Sequence, residues 1–201
     1  MTHILTDIAA LETLYDSPAA NALNKVFSEI TPLYQQWIEA SRFLVLATVG
    51  PEGVDASPRG DDGAVVVIGN SKTILLPDWR GNNRLDSLRN IVRDGRISLM
   101  FMVPGCNNVV RVNGTAVLSV DPTLCERFDK AGKGPTCVIQ ISVKEIYFQC
   151  AKALMRSNLW TSEDESAKVP TAGQFLGELD QQINVKSYDE NYPDYAKDKM
   201  W

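Results

Sequence analysis

The chain has 201 residues, of which 44% are apolar and 22% charged, and a formal net charge of −5. This length and balance suit a single folded domain and exclude disordered, collagen-like and disulfide-scaffold classes. The negative balance offers no global field for nucleic acid or an anionic membrane surface, so any anion site must be local.

The opening stretch MTHILTDIAALETLYD carries acids where an export signal would carry basic residues and then a long apolar run, so a cytoplasmic protein is expected. Ile4, Ile8, Leu11 and Leu14, then Leu23, Phe27 and Ile30, then Leu33, Trp37 and Ile38 recur at helical spacing. They predict a helical preface over residues 4–41, with new helices starting near Pro18 and Pro32.

From Phe43 the pattern turns to short β-rich runs at 43–49, 54–57, 64–68, 73–76 and 97–103. The linkers GPEG, GNSK and PGCN suit hairpins and are too short for parallel crossovers, so the sheet is expected to be antiparallel. Between these runs, Leu85, Leu88, Ile91 and Val92 line one face of a helix, with Asn82 or Asn83 as its N-cap and Gly95 closing its end. Residues 109–120 alternate cleanly, with Arg111, Asn113, Thr115 and Ser119 on the polar face. A second helix is expected near 122–131. In the last strand, 137–149, the apolar phase slips near Lys144 and Glu145, which predicts a bulge.

Six or seven strands at hairpin spacing suit a mainly β architecture, an antiparallel barrel that is closed rather than an open sheet. Beyond residue 150 the chain turns helical and polar, with a loop at SEDESAKVPTAG before a helix at about 173–184. The expected organisation is one domain: a barrel core over 43–150 between helical extensions at 1–41 and 151–201. The longest apolar runs, such as Ile97 to Val103, are too short to span a bilayer, so no membrane partner is expected.

A single histidine, His3, removes Ser-His-Asp and Cys-His triads and H-E-x-x-H zinc sites. Cys106, Cys125, Cys137 and Cys150 are widely spaced with no C-x-x-C pair and read as reduced thiols. Asp61 with Asp62 offers too few oxygens for a calcium loop, AGKGPT lacks the earlier glycine of a phosphate loop, and no metal is expected. An enzyme built this way would borrow its reactive chemistry from a cofactor.

Three segments can grip an anion. In LPDWRGNNRLDSLRNIVRDGR, residues 76–96, free backbone N–H groups at a helix start converge with Arg84 and the Ser87 hydroxyl, while Arg89 and Arg93 read as a solvated helix face. In VDASPRGDDG, residues 54–63, Arg59 follows a strand and glycines let backbone approach a bound group. In FQCAKALMRSNLW, residues 148–160, Lys152 and Arg156 lie one helical turn apart on one face, as a ligand site or as ordinary helix-start charges.

Together SPRGDDG, LPDWRGNNRLDSLRN, RVNGTA and CAKALMRSNLW resemble the pyridoxamine 5′-phosphate oxidase-like superfamily of FMN-binding split barrels, and within it a bacterial branch of FMN-dependent enzymes. The resemblance runs over about residues 25–185, and GNNRLDSLRN is its specific part. It implies a homodimer holding FMN in clefts at the subunit interface. It also implies that Asn82, Asn83, Arg84 and Ser87 bind the FMN phosphate, that Arg59 reaches the flavin or its phosphate, and that Asp78 and Trp79 run along the ring. Arg111 would face the flavin from the neighbouring subunit, and Lys152 and Arg156 are a signature of the branch. Oxidases proper to the family end in a tryptophan and paired arginines that grip the substrate phosphate. The terminal SYDENYPDYAKDKMW has no arginine, so the resemblance carries the flavin and not the vitamin substrate. The implied activity is an FMN-dependent oxidoreductase acting on a small molecule, with a flavin or haem carrier or sensor, or a deazaflavin-using barrel, as the alternatives.

Overall fold

The computed structural model describes residues 3–130, 132–197 and 199–200. Three short helices open the chain: α1 (Ile8–Glu12), whose N-cap Asp7 accepts from the Ala10 amide at 2.8 Å, α2 (Ala20–Asn24), and α3 (Pro32–Ala40). Pro32 sits in the first turn of α3, where its missing N–H has no helical partner to lose. Only α3 buries apolar side chains, Tyr34 and Ile38, against the sheet; α1 and α2 bury none.

Seven strands follow: β1 (Phe43–Gly50), β2 (Gly53–Gly60), β3 (Val67–Asn70), β4 (Thr73–Asp78), β5 (Arg96–Met102), β6 (Val109–Ser119) and β7 (Cys137–Gln149). They pair antiparallel in the order β2-β1-β5-β6-β7-β4-β3. Helix α4 (Asp86–Arg93) lies between β4 and β5 in sequence. Alternation sends Leu44, Leu46, Leu99, Phe101, Val110, Val112, Ile139 and Ile141 into one shared core. Each such side chain contributes about 1.5–3 kcal/mol by leaving water.

The architecture is the expected mainly β, split antiparallel barrel, but the hydrogen-bonded sheet does not close. The ladder ends at β2 and β3, because the chain crosses between them over residues 61–66 without pairing. Val65 and Val66 in that crossing are buried, and the Val65 amide donates to the Ser41 carbonyl at 2.9 Å. An apolar run that reads as a strand is satisfied here by the end of α3. The split is bridged by side chains instead, as described below.

The bulge falls where the phase slip predicts it. Asn113 pairs with Glu145 and Gly114 with Val143, so Lys144 is left unpaired between them. Gly114 passes so close to β7 that an added Cβ would stand 2.1 Å from the Ser142 carbonyl oxygen.

The remaining helices differ from expectation in extent. Residues 122–131 hold only α5 (Pro122–Cys125) and a 3₁₀ turn at Glu126–Phe128. After α6 (Lys152–Ser157), α7 (Ala172–Leu179) stops short of the predicted residue 184, and the helical extension continues in α8 (Val185–Lys197), which contains Pro193 and which the sequence reading did not delimit. No helix among the described residues is long and apolar enough to cross a membrane.

Candidate functional site

Helix α4 is fixed to the sheet by two polar contacts. Buried Asn90 donates to Thr48 Oγ1 of β1 at 3.1 Å, and Gly50 of β1 leaves room for that approach, since a Cβ there would stand 2.2 Å from Asn90 Oδ1. At the other end, the Ser87 hydroxyl donates to Asp55 of β2. Ser87 is therefore buried against a carboxylate and anchors the helix start to β2.

The helix is not capped by either asparagine. Its N-cap is Leu85, with no side-chain cap hydrogen bond. Asn82 Oδ1 instead accepts from the Arg84 amide at 3.0 Å and Asn83 takes a left-handed φ of 60°, so the pair shapes the turn ahead of the helix. Arg84 pairs through Nε with Asp86, but its side chain is 79% exposed and so weakly held.

Asp55, Ser57 and Arg59 are the more buried alternate residues of β2 and share one of its faces. At the far end of that row Arg59 Nη1 donates to Asp78 Oδ1 of β4 at 2.6 Å, bridging the split from one side of the barrel to the other. Arg59 Nε is buried and has no partner among the described residues. Next to Asp78, Trp79 Nε1 donates to Asp61 Oδ2 at 3.1 Å. One chain thus aligns the α4 start, Ser87, Arg59, Asp78 and Trp79 along one face, with Asp55 and Arg59 about 13 Å apart along β2.

Arg111, Lys152 and Arg156 do not join this group. Arg111 lies over the Tyr147 ring, 5.5 Å from its centroid, and donates to Gln149 Oε1 at 3.5 Å. Tyr147 pairs with Arg111 near one end of β7, whereas Cys137 at its other end pairs with Asp78. Asp78 and Arg111 are thus about 30 Å of β7 apart, but through β1 and β5 Arg59 falls on the same row as Val110, with Arg111 next to it on the opposite face of the sheet, and α6 with Lys152 and Arg156 follows the Arg111 end.

The family model for pyridoxamine 5′-phosphate oxidase matches residues 30–150, which include all seven strands, α4 and the Arg59 bridge. The chain belongs to the pyridoxamine 5′-phosphate oxidase family. No curated protein matches it. Among solved structures, a tagged variant of HupZ from Group A Streptococcus is 19% identical, with 60% of this chain and 99% of that one covered at a TM-score of 0.50. General Stress Protein 26 from Bacillus anthracis is 17% identical, covering 57% and 88% at a TM-score of 0.42. An FMN-binding protein from Syntrophomonas wolfei is 14% identical, covering 58% and 88% at 0.44.

In this member of the pyridoxamine 5′-phosphate oxidase family, two residues central to the split were not singled out as site residues by sequence reading. Asp61, only 7% exposed at its side chain, accepts from Trp79 Nε1, the Asp62 amide and Lys130 Nζ. Lys130, 69 positions away in sequence, also bonds Asp62 and lies over the Trp79 ring at 5.6 Å. Burial works against the Lys130 charge, but the hydrogen bonds to Asp61 and Asp62 outweigh it and hold the ammonium above its ordinary range. Hydrogen bonding with Asp61 and then Lys130 holds the Asp62 carboxyl below its own. A cavity of about 230 Å³ opens beside this network.

Cys137, buried behind Asp78, is no nucleophile: burial first, then Asp78 and Cys125, push its thiol up to about 11. A raised folded value means that the neutral thiol's contribution to stability is intact below the ordinary 9.0 and is lost as pH climbs through about 11. At neutral pH, maleimide is expected to modify exposed Cys150 readily and leave Cys137 untouched until the protein unfolds. Peptide mass spectrometry reads this directly, and equal labelling of the two would contradict the burial.

Proposed function

We propose that this chain is an FMN-binding oxidoreductase of the cytoplasm that works as a homodimer on a small-molecule substrate. Each flavin would be held between the β2–α4 face of one copy and the β6–α6 end of the other. The observation behind this reading is the separation of the two donor sets. Arg59 and Asp78 lie on the face of the sheet that carries the core and Arg111 on the opposite face, with α6 beyond it, so one ligand would meet both sets where two copies meet.

The donors suit the group. A phosphate monoester carries close to two negative charges, and hydrogen bonds to charged groups contribute about 1.5–3 kcal/mol each. Arg84 is held only by an exposed pair with Asp86 that a stronger anion can displace, and Arg59 Nε is a buried donor without an acceptor among the described residues. When bound, the flavin supplies the hydride or electron transfer. The chain's own residues bind the phosphate, orient the ring against Trp79 and keep water from it. This reading requires no protein acid or base.

Arg84→Ala is expected to lose bound flavin, seen as loss of visible absorbance in the purified protein, with the fold unchanged because the side chain is exposed. Lys152→Ala/Arg156→Ala is expected to do the same. Mixing the two variants in equal amounts under conditions that exchange subunits should restore flavin to about a quarter of the sites, since about half of the dimers are then hybrids and each hybrid carries one intact cleft. A colourless, monomeric wild-type protein, or full flavin retention in Arg84→Ala, would overturn the proposal.

A further inference from the structure

A folded monomer of 22.2 kDa exposes about 9,400 Å², whereas this chain exposes 13878 Å², an excess of about 4,500 Å². The excess belongs to the helical extensions: α1, α2, α6 and α8 bury no residue, and α7 buries only Gly173. A large obligate dimer draws about 1,000–2,500 Å² from each partner, so the extensions have enough surface to build one. The α7–α8 hairpin is the most highly organised of them. A capping box at Thr171 starts α7, and Asp189 of α8 accepts from the Gly173 amide at 2.9 Å and from the Thr171 hydroxyl. Among the described residues α7 and α8 pack on each other, and neither packs closely on a strand of its own barrel. Helices under about 12–15 residues are marginal in water by themselves, yet Phe175 and Leu179 of this hairpin remain 57% and 84% exposed. The hairpin is built to be covered.

Charge selects what covers it. Residues 158–201 carry nine acidic side chains and four basic ones, a net charge equal to the −5 of the whole chain. An anionic membrane surface would repel so acidic a segment, and hairpin against hairpin would set like charges together. The matching surface is the outer face of α4, where Leu85, Arg89 and Val92 form an exposed stripe at helical spacing and Arg93 is held only by an exposed pair with Glu52. We propose that the α7–α8 hairpin of one copy docks on the outer face of α4 of a second copy. Phe175 and Leu179 would cover Leu85 and Val92, and the acidic side chains around them would meet Arg89 and Arg93. The docking rests on the homodimer reading above, which sets α6 of one copy beside the β2–α4 face of the other. The segment 158–171 between α6 and α7 can span up to about 50 Å, so the hairpin reaches that helix.

Hydrogen–deuterium exchange of the full chain, at concentrations where sedimentation reports a dimer, tests the docking. Arg89→Glu/Arg93→Glu is expected to speed exchange of the 172–197 amides at least about tenfold and to leave β5, β6 and β7 as they were. Both side chains are exposed, and the strands report any loss of fold. That the surface belongs to the second copy is read from isotopes. Heavy and ordinary chains carrying Arg89→Lys, whose amine a carbodiimide can join to a carboxylate, are allowed to exchange subunits and then cross-linked. Links from α4 to residues 158–201 should join a heavy peptide to an ordinary one. Unchanged exchange in Arg89→Glu/Arg93→Glu, or no mixed links, would overturn the docking. The visible spectrum of the same samples reports on the cofactor separately. A flavin-loaded dimer whose hairpin ignores the charge reversal removes the docking alone, and a colourless dimer whose hairpin responds removes the flavin alone.

Discussion

Gly114→Ala is expected to destabilise the barrel by at least about 3 kcal/mol, a large fraction of the stability of a domain this size. The added carbon would stand 2.1 Å from the Ser142 carbonyl oxygen, a distance no real contact reaches, and a tight 3.1 Å from its carbon. Relief cannot come from a side chain rotating away, because the obstruction is backbone. Nor can β7 recede easily, since it is hydrogen-bonded on both sides, to β6 and to β4. The bulge at Lys144 draws the two strands into this approach, and glycine opposite it is what the bulge requires. Gly63→Ala is the control: nothing lies within 4 Å of its added carbon, and its effect should stay within about 0.5 kcal/mol. Urea unfolding of the two variants against wild type checks the contrast. A Gly114→Ala midpoint indistinguishable from that of Gly63→Ala would mean that β6 and β7 do not cross as described.

What the sequence disclosed of this fold follows from how local each signal is. Alternation over 109–120 and the phase slip near Lys144 are properties of a few adjacent residues, and both pairing and bulge appear where they place them. Gly95, with φ of 78°, closes α4 for the same local reason. The N-cap was misread because GNNR offers two good capping residues, and the docking of α4 through Ser87 and Asn90 starts the helix two or three residues later. Closure of the sheet was misread because strand count says nothing about whether the first and last strands reach each other. Here a crossing at 61–66, buried at Val65 and Val66, takes the place of a ladder.

The site divides along the same line. Arg59, Asp78 and the 82–87 segment were legible because motifs name them, and the fold does bring them to one face. Their separation from Arg111 and α6 was not legible, since it depends on which face of the sheet the pairing of β2, β1, β5 and β6 turns each residue to. Lys130 carried no signal at all. Its importance comes from a contact with Asp61 that joins two distant loops, just beyond a short α-helix and 3₁₀ turn that end before it.

Arg59→Leu is expected to cost about 3 kcal/mol, because it strands the Asp78 carboxylate, only 14% exposed, across a split that no backbone pairing closes. The size of this effect comes from the partner left behind more than from the bond removed, and that has a consequence open to measurement. Removing both charges, in Arg59→Leu/Asp78→Leu, should cost less than Arg59→Leu alone, since no uncompensated ion then remains in the barrel wall. Arg59→Lys separates this structural duty from the proposed cofactor duty. Lysine can still meet Asp78, so stability should fall by no more than about 1 kcal/mol, but it has no Nε donor to offer the space where Arg59 Nε has no partner among the described residues. If that donor serves the flavin, Arg59→Lys should hold FMN about tenfold more weakly than wild type at nearly unchanged stability, one charged hydrogen bond having been lost. Denaturant unfolding of the apoproteins and fluorescence titration with FMN give the two numbers independently. Arg59→Lys that binds FMN as wild type does would leave the arginine as a strut across the split and nothing more.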